Sequence, residues 1–149
     1  MLTWLSIAAG AVVFFLSRDL LRRRGADRIQ ALLDKRGPNA LVATRGGFVD
    51  GARHIDVAMA LTPQTLFYEN AHMEASLDLQ WVSEVEYDSR VRTGANVEDG
   101  QVLRLRCYSR CFEFIVPAHA LARWQEMLPS RGGAPLPVEN TVPRFAGAI

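Results

Sequence analysis

Five arginines late in the chain, Arg90, Arg92, Arg104, Arg106 and Arg110, are the side chains whose type and spacing offer chemistry. A guanidinium presents paired N–H donors to a carboxylate or a phosphate. Arg104 and Arg106 stand two apart, so in a strand they share one face. Arg90 and Arg92 share another if their strand runs that far. Such a row would hold an acidic protein surface or an anionic headgroup. Its competing use is a solvated sheet face, with arginines paired across strands to Glu84, Glu86 and Glu113.

Other reactive side chains are sparse. Cys107 and Cys111 flank an expected turn and are spaced to face each other, as a redox pair or half a metal site, or to serve as small buried apolar groups. His54, His72 and His119 scatter without ligand spacing, so no metal centre is expected. The chain has no Gly-x-Ser-x-Gly, P-loop or His-Glu-x-x-His motif. The expectation is a protein that is not an enzyme and carries no cofactor.

The elements that would position the arginines follow from how apolar residues are spread. A chain of 149 residues allows one domain with a real core. Seventeen basic residues against sixteen acidic ones leave no electrostatic case for nucleic acid. Residues 1–17 contain no charged side chain, and a helix of that length spans roughly 25 Å against a hydrocarbon core of roughly 30 Å. Snorkelling by Arg18 closes the gap. Trp4 suits an interfacial anchor, and Arg18, Arg22, Arg23, Arg24 and Arg28 form the basic, membrane-proximal collar that predicts the N-terminus outside and the rest inside. From Ser17 to Arg36 seven cations meet three anions, a net charge of +4. A cleaved signal peptide fits less well, because a basic leading region is missing and arginines follow the apolar run. A helix buried in a partner's core is the third reading of so short a segment.

Residues 18–37 read as a basic juxtamembrane helix in which Leu21, Ile29 and Leu32 recur at helical spacing and Gly25 offers a bend. This helix either lies on headgroups or packs on the following domain, and Gly37-Pro38-Asn39 ends it. Residues 38–128 then change period. Short strands are expected at 41–44, 55–61, 65–69, 75–79, 81–87, 102–108 and 110–116, with turns at Gly46-Gly47, Asp50-Gly51, Thr62-Pro63 and Asn70-Ala71. A closing helix between Pro117 and Pro129 places Leu121, Trp124 and Leu128 on one face. Residues 129–149, with four of the seven prolines, read as a flexible tail.

The run Ile55-Asp56-Val57-Ala58-Met59-Ala60-Leu61-Thr62 turning into Leu66-Phe67-Tyr68-Glu69 resembles the pleckstrin-homology/GRAM-like superfamily. Leu77-Asp78-Leu79 leading to Val82-Ser83-Glu84-Val85, the hairpin from Leu103 to Val116 and Trp124 on the closing helix extend the resemblance over 89 of 149 residues. It implies a mainly β, PH-like split barrel of about seven antiparallel strands capped by a C-terminal helix, preceded here by a transmembrane helix. It also fits a single-pass protein of the bacterial inner membrane. Members that bind phosphoinositides use a basic cluster in the first strand–strand loop. Here the stretch from Arg45 to His54 offers only Arg45, Arg53 and His54 beside Asp50 and Asp56. The expected function is therefore a membrane-tethered module that recruits a protein partner at the inner face, with sensing of anionic lipid headgroups as the alternative. Its expected partners are the lipid bilayer through residues 1–17 and a membrane-associated protein, with anionic lipid second.

Overall fold

The computed structural model describes residues 25–132. The expected anchor at residues 1–17 lies outside them, as do Arg18, Arg22, Arg23 and Arg24. Among the described residues no helix is long and apolar enough to cross a membrane. The described chain opens in a helix, α1 (residues 25–36), which a 3-10 turn over Gly37–Asn39 terminates. Seven strands follow: β1 Val42–Asp50, β2 Arg53–Leu61, β3 Thr65–Glu69, β4 Glu74–Asp78, β5 Val82–Asp88, β6 Gln101–Cys107 and β7 Arg110–Val116. A helix, α2 (Ala118–Met127), closes the series.

All seven strands form one antiparallel sheet in the order β4-β3-β2-β1-β7-β6-β5, curled into a half-barrel. Period-two alternation turns Val57, Met59, Leu61, Leu66, Tyr68, Leu103, Leu105, Phe114 and Val116 into one core. Phe48, Tyr68 and Phe114 meet at its centre with ring centroids 5.0 to 5.5 Å apart, the separation aromatic pairs favour. α2 packs against β1 and β7. Its Trp124 is fully buried, and Tyr87 Oη donates to the Leu128 carbonyl at 2.9 Å, tying the helix end to β5.

Gly46 and Gly47 are not a turn. β1 runs straight through them, pairing Gly46 with Val57 and Gly47 with both Asp56 and Ile115. The reason is space: a Cβ on Gly46 would run into the Met59 sulfur and stand 2.6 Å from the Ile115 carbonyl oxygen, while one on Gly47 would strike the His54 ring. Glycine here lets the middle of β1 be overlaid on both faces. The first strand–strand turn is therefore Gly51-Ala52 alone, with Gly51 at φ +60°.

The described part of the expected basic helix, α1, lies on the outer face of β2 and β3. Ile29 is buried, and the Arg36 guanidinium stacks 4.1 Å over the Phe67 ring while pairing with the buried carboxylate of Glu69. Ala58 and Ala60 are buried on that outer face, where small side chains admit a helix. Arg28 is exposed.

Beyond α2 the chain turns back, and Arg131 makes a two-bond bridge to Val85 at the outer edge of β5 (2.8 and 3.0 Å). Its guanidinium donates to the carbonyls of Leu79 and Val82. The tail expected from Pro129 thus begins with four described residues, one of which, Arg131, is bridged to β5; residues 133–149 lie outside the described part.

Trp124→Ala empties the space under α2 and should destabilise the domain by about 3–5 kcal/mol. Its indole N–H has no partner among the described residues, so Trp124→Phe should cost distinctly less. Thermal unfolding of the chain, followed by circular dichroism, measures both.

Candidate functional site

The register of β5, β6 and β7 sets Arg104 between Glu86 and Glu113 on the outer face of the sheet. Glu113 is only 6% exposed, and a carboxylate so buried needs an opposite charge and hydrogen-bond donors. Arg104 Nε donates to it at 2.9 Å, and the Arg92 backbone N–H donates to the same oxygen at 2.9 Å. The other arm of Arg104 reaches Asp88 at 2.9 Å and Glu86 at 3.2 Å, and its remaining nitrogen donates to the Arg90 carbonyl. Burial alone would lower the pKa of Arg104, but the bonds to Glu113, Asp88 and Glu86 win and raise it. Burial pushes the Asp88 carboxyl up, yet its bonds from Arg104 and from the Arg90 backbone hold it below the ordinary value. Arg106 donates through Nε to Glu84 at 2.6 Å.

The five arginines expected to form one face therefore divide. Arg104 and Arg106 are spent on carboxylates of the same sheet. Arg90 and Arg92 do not extend β5, because that strand stops at Asp88, whose carboxylate accepts the Arg90 backbone N–H and bends the chain away. Among the described residues the side chains of Arg90, Arg92 and Arg110 make no ion pair, and all three are exposed.

The segment between β5 and β6 folds back over the sheet. Val91 and Ala95, Gly94 and Val91, and Val97 and Ser89 are joined by backbone hydrogen bonds of 2.8 to 3.0 Å, and Val91 is buried beneath. Between this loop and the β1–β2 turn lies a cleft of about 460 Å³ with Val49, Val91, Val97 and Ile115 in its walls and Arg53 and Glu98 beside them. A neighbouring hollow of about 570 Å³ brings Arg92 and Arg110 together with Thr93, Ser109, Asp50 and Phe112. Two guanidiniums without an ion pair among the described residues, two hydroxyls and an adjoining apolar wall can bind a carboxylate-bearing chain with a hydrophobic side chain next to it. Arg90 lines neither cavity.

Cys107 and Cys111 do not face each other. Across the hairpin Cys107 pairs with Arg110 and Cys111 with Arg106, so the two thiols project from opposite faces of the sheet. Burial pushes both thiols up; at Cys111 Glu113 adds to that shift, and Arg92, Arg104 and Arg106 offset only part of it. Both therefore stay protonated near neutral pH. His54 and His119 line one shallow hollow with Asp56, whereas His72 sits in the β3–β4 turn. Among the described residues no three His, Cys, Asp or Glu side chains converge as a metal site.

Sequence reasoning placed Trp81 in a strand; it stands instead in a 3-10 turn, Leu79–Trp81, whose start Asp78 caps by accepting the Gln80 N–H. Its ring packs on Tyr108 with centroids 5.5 Å apart. The signal that could have found it is the Asp-x-Gln cap immediately before the tryptophan. Comparison of the chain with protein-family models, with curated proteins and with solved structures finds no match.

Arg104→Ala strands the Glu113 carboxylate and should destabilise the domain by about 3–5 kcal/mol, whereas Arg92→Ala and Arg110→Ala should each change stability by no more than about 0.5 kcal/mol. Chemical denaturation of the three variants separates the two classes. Because the folded pKa of Asp88 is depressed, the stability it contributes is complete above the unfolded carboxylate value of about 3.9 and disappears as pH falls through the folded value. Melting temperature should thus drop on acidification below about pH 4, and Asp88→Asn should flatten that part of the curve.

Proposed function

We propose that the half-barrel is a PH/GRAM-like domain, held at the inner face of a bacterial cytoplasmic membrane by residues 1–17, and that it recruits a protein partner there. The consecutive antiparallel strands, four on one side of the β1–β7 junction and three on the other, with a helix closing the core, support the fold assignment. The apolar run and the +4 segment behind it support the tether.

The observation that carries recruitment of a protein is the pairing of Arg104 and Arg106. Anionic headgroups are read by free, clustered cations, and the most regular pair in this chain is already neutralised by Glu113, Asp88, Glu86 and Glu84. What stays open is an apolar cleft with Arg92 and Arg110 next to it. That combination suits an acidic segment of a protein with an apolar side chain to bury. Tethering raises the local concentration of such a partner without any added contact.

Headgroup sensing is the second reading, favoured by the side chains of Arg90, Arg92 and Arg110, which make no ion pair among the described residues. Crosslinking in intact membranes, followed by mild solubilisation, separates the two. Recruitment predicts a discrete partner band that Arg92→Glu with Arg110→Glu abolishes while leaving the chain in the membrane fraction. A wild-type chain recovered alone from several detergents, whose double variant loses only salt-sensitive affinity for anionic vesicles, would favour headgroups instead.

A further inference from the structure

Beyond α2 the chain returns along the outer edge of β5, and the hydrogen bonds of Arg131 fix its direction there. The bridge from Arg131 to Val85 is antiparallel, so each residue after Arg131 lies one residue nearer the start of β5. Gly132 keeps to that path. A Cβ added to it would stand 2.7 Å from the Ser83 carbonyl oxygen and 3.1 Å from Glu84 Cγ. It passes so close over β5 that no side chain fits, and glycine holds its φ of +70° without strain. The Arg131 guanidinium points the same way, donating to the carbonyls of Leu79 and Val82 on either side of Trp81. Counted in step with the bridge, Trp81 lies four residues before Val85, and the residue four after Arg131 is Pro135.

Trp81 is 51% and Tyr108 71% exposed, each packed on the other with ring centroids 5.5 Å apart and no share in the core. They stand level with each other because Val82 pairs with Cys107. Tyr108 also holds a left-handed backbone, φ 53°, in a turn where glycine or asparagine would be unstrained. A large ring kept at such a position costs stability, which a contact outside the core offsets.

The stretch of chain that this path brings to the rings is Ala134-Pro135-Leu136-Pro137-Val138. Pro135 and Pro137 have no N–H, so they cannot extend a hydrogen-bonded ladder along β5. What they offer is apolar rings with no rotamer entropy to lose, and proline-rich segments dock on aromatic side chains for that reason. Alternate residues of an extended proline-rich chain stand about 6 Å apart, which matches the 5.5 Å between the two rings.

We infer that residues 134–138 of this chain cross the end of β5 and cover its aromatic pair, with Pro135 on Trp81 and Pro137 on Tyr108. The contact is made within one chain and does not depend on the tether proposed above. It holds the β5 edge shut beyond the single bridge at Val85, and a partner reaching for that edge must first displace the prolines.

The test is acrylamide quenching of tryptophan emission in the purified full chain carrying Trp4→Phe, with and without Pro135→Ser and Pro137→Ser. Trp124 is wholly buried, so differences in quenching report Trp81. The expected result is a shielded Trp81 at every protein concentration and a loss of that shielding in the double proline variant. Adding Trp81→Phe to both chains should abolish the difference between them. Tyr108→Gly relieves the strained turn, so the fold should survive with the shielding reduced. Equal, strong quenching with and without the prolines would leave the pair open and overturn the inference. Shielding that falls on dilution would assign the pair to a second copy. Shielding that survives both dilution and the proline changes would assign it to another segment or to bound lipid, and either result would overturn the inference as well.

Discussion

Glu113 places a carboxylate on the outer side of β7 where almost none of it meets water, and everything built over that part of the sheet follows from how the charge is answered. Arg104 answers it from the neighbouring strand, and having done so has donors left for Asp88 and Glu86. The Arg92 N–H supplies the second bond to Glu113, which draws the β5–β6 loop down onto the sheet. Together with the Arg104 guanidinium on the Arg90 carbonyl, that bond holds the loop on the sheet, where it forms the second wall of the cleft against the β1–β2 turn. A buried ion pair of this kind contributes little net stability and a great deal of geometry.

The strands and the closing helix were legible because their periods are clean: Ile55, Val57, Met59 and Leu61 alternate, and Leu121, Trp124 and Leu128 repeat at helical spacing. The errors have physical causes. Gly46-Gly47 looks like a turn locally, and only the Met59 sulfur and the Ile115 carbonyl pressing from across the sheet show why glycine sits inside a strand. The division of the arginines was half legible, since Glu84, Glu86 and Glu113 were identifiable as cross-strand partners. Which guanidiniums stayed free depended on where β5 stops. Asp88 sets that point through a hydrogen bond to Arg90 that no periodicity encodes. The opposed faces of Cys107 and Cys111 follow from a two-residue turn at Tyr108-Ser109, where only a three-residue turn would set the two opposite each other, and one residue of register reverses a side chain.

α1 is fastened to the rest of the described domain without a loose joint. Arg36 is fixed three ways, by stacking on Phe67 and by pairing with Glu69 and Glu74, and Ile29 is buried about two helical turns earlier. The bond to Glu69 dominates and raises the pKa of the guanidinium, burial offsets part of that, and the charges of Glu69 and Glu74 reinforce it, so the attachment stays charged through the physiological range.

An open sheet has two rims, and each is a template on which another chain can polymerise. In this protein β5 is shielded by the returning Arg131, whose backbone occupies Val85 and whose side chain takes the carbonyls of Leu79 and Val82. β4 is only five residues long and is bounded by Glu74 and Asp78. Two copies meeting there head to tail would set those acids against one another, so the shape that leaves the barrel unclosed does not invite fibrils.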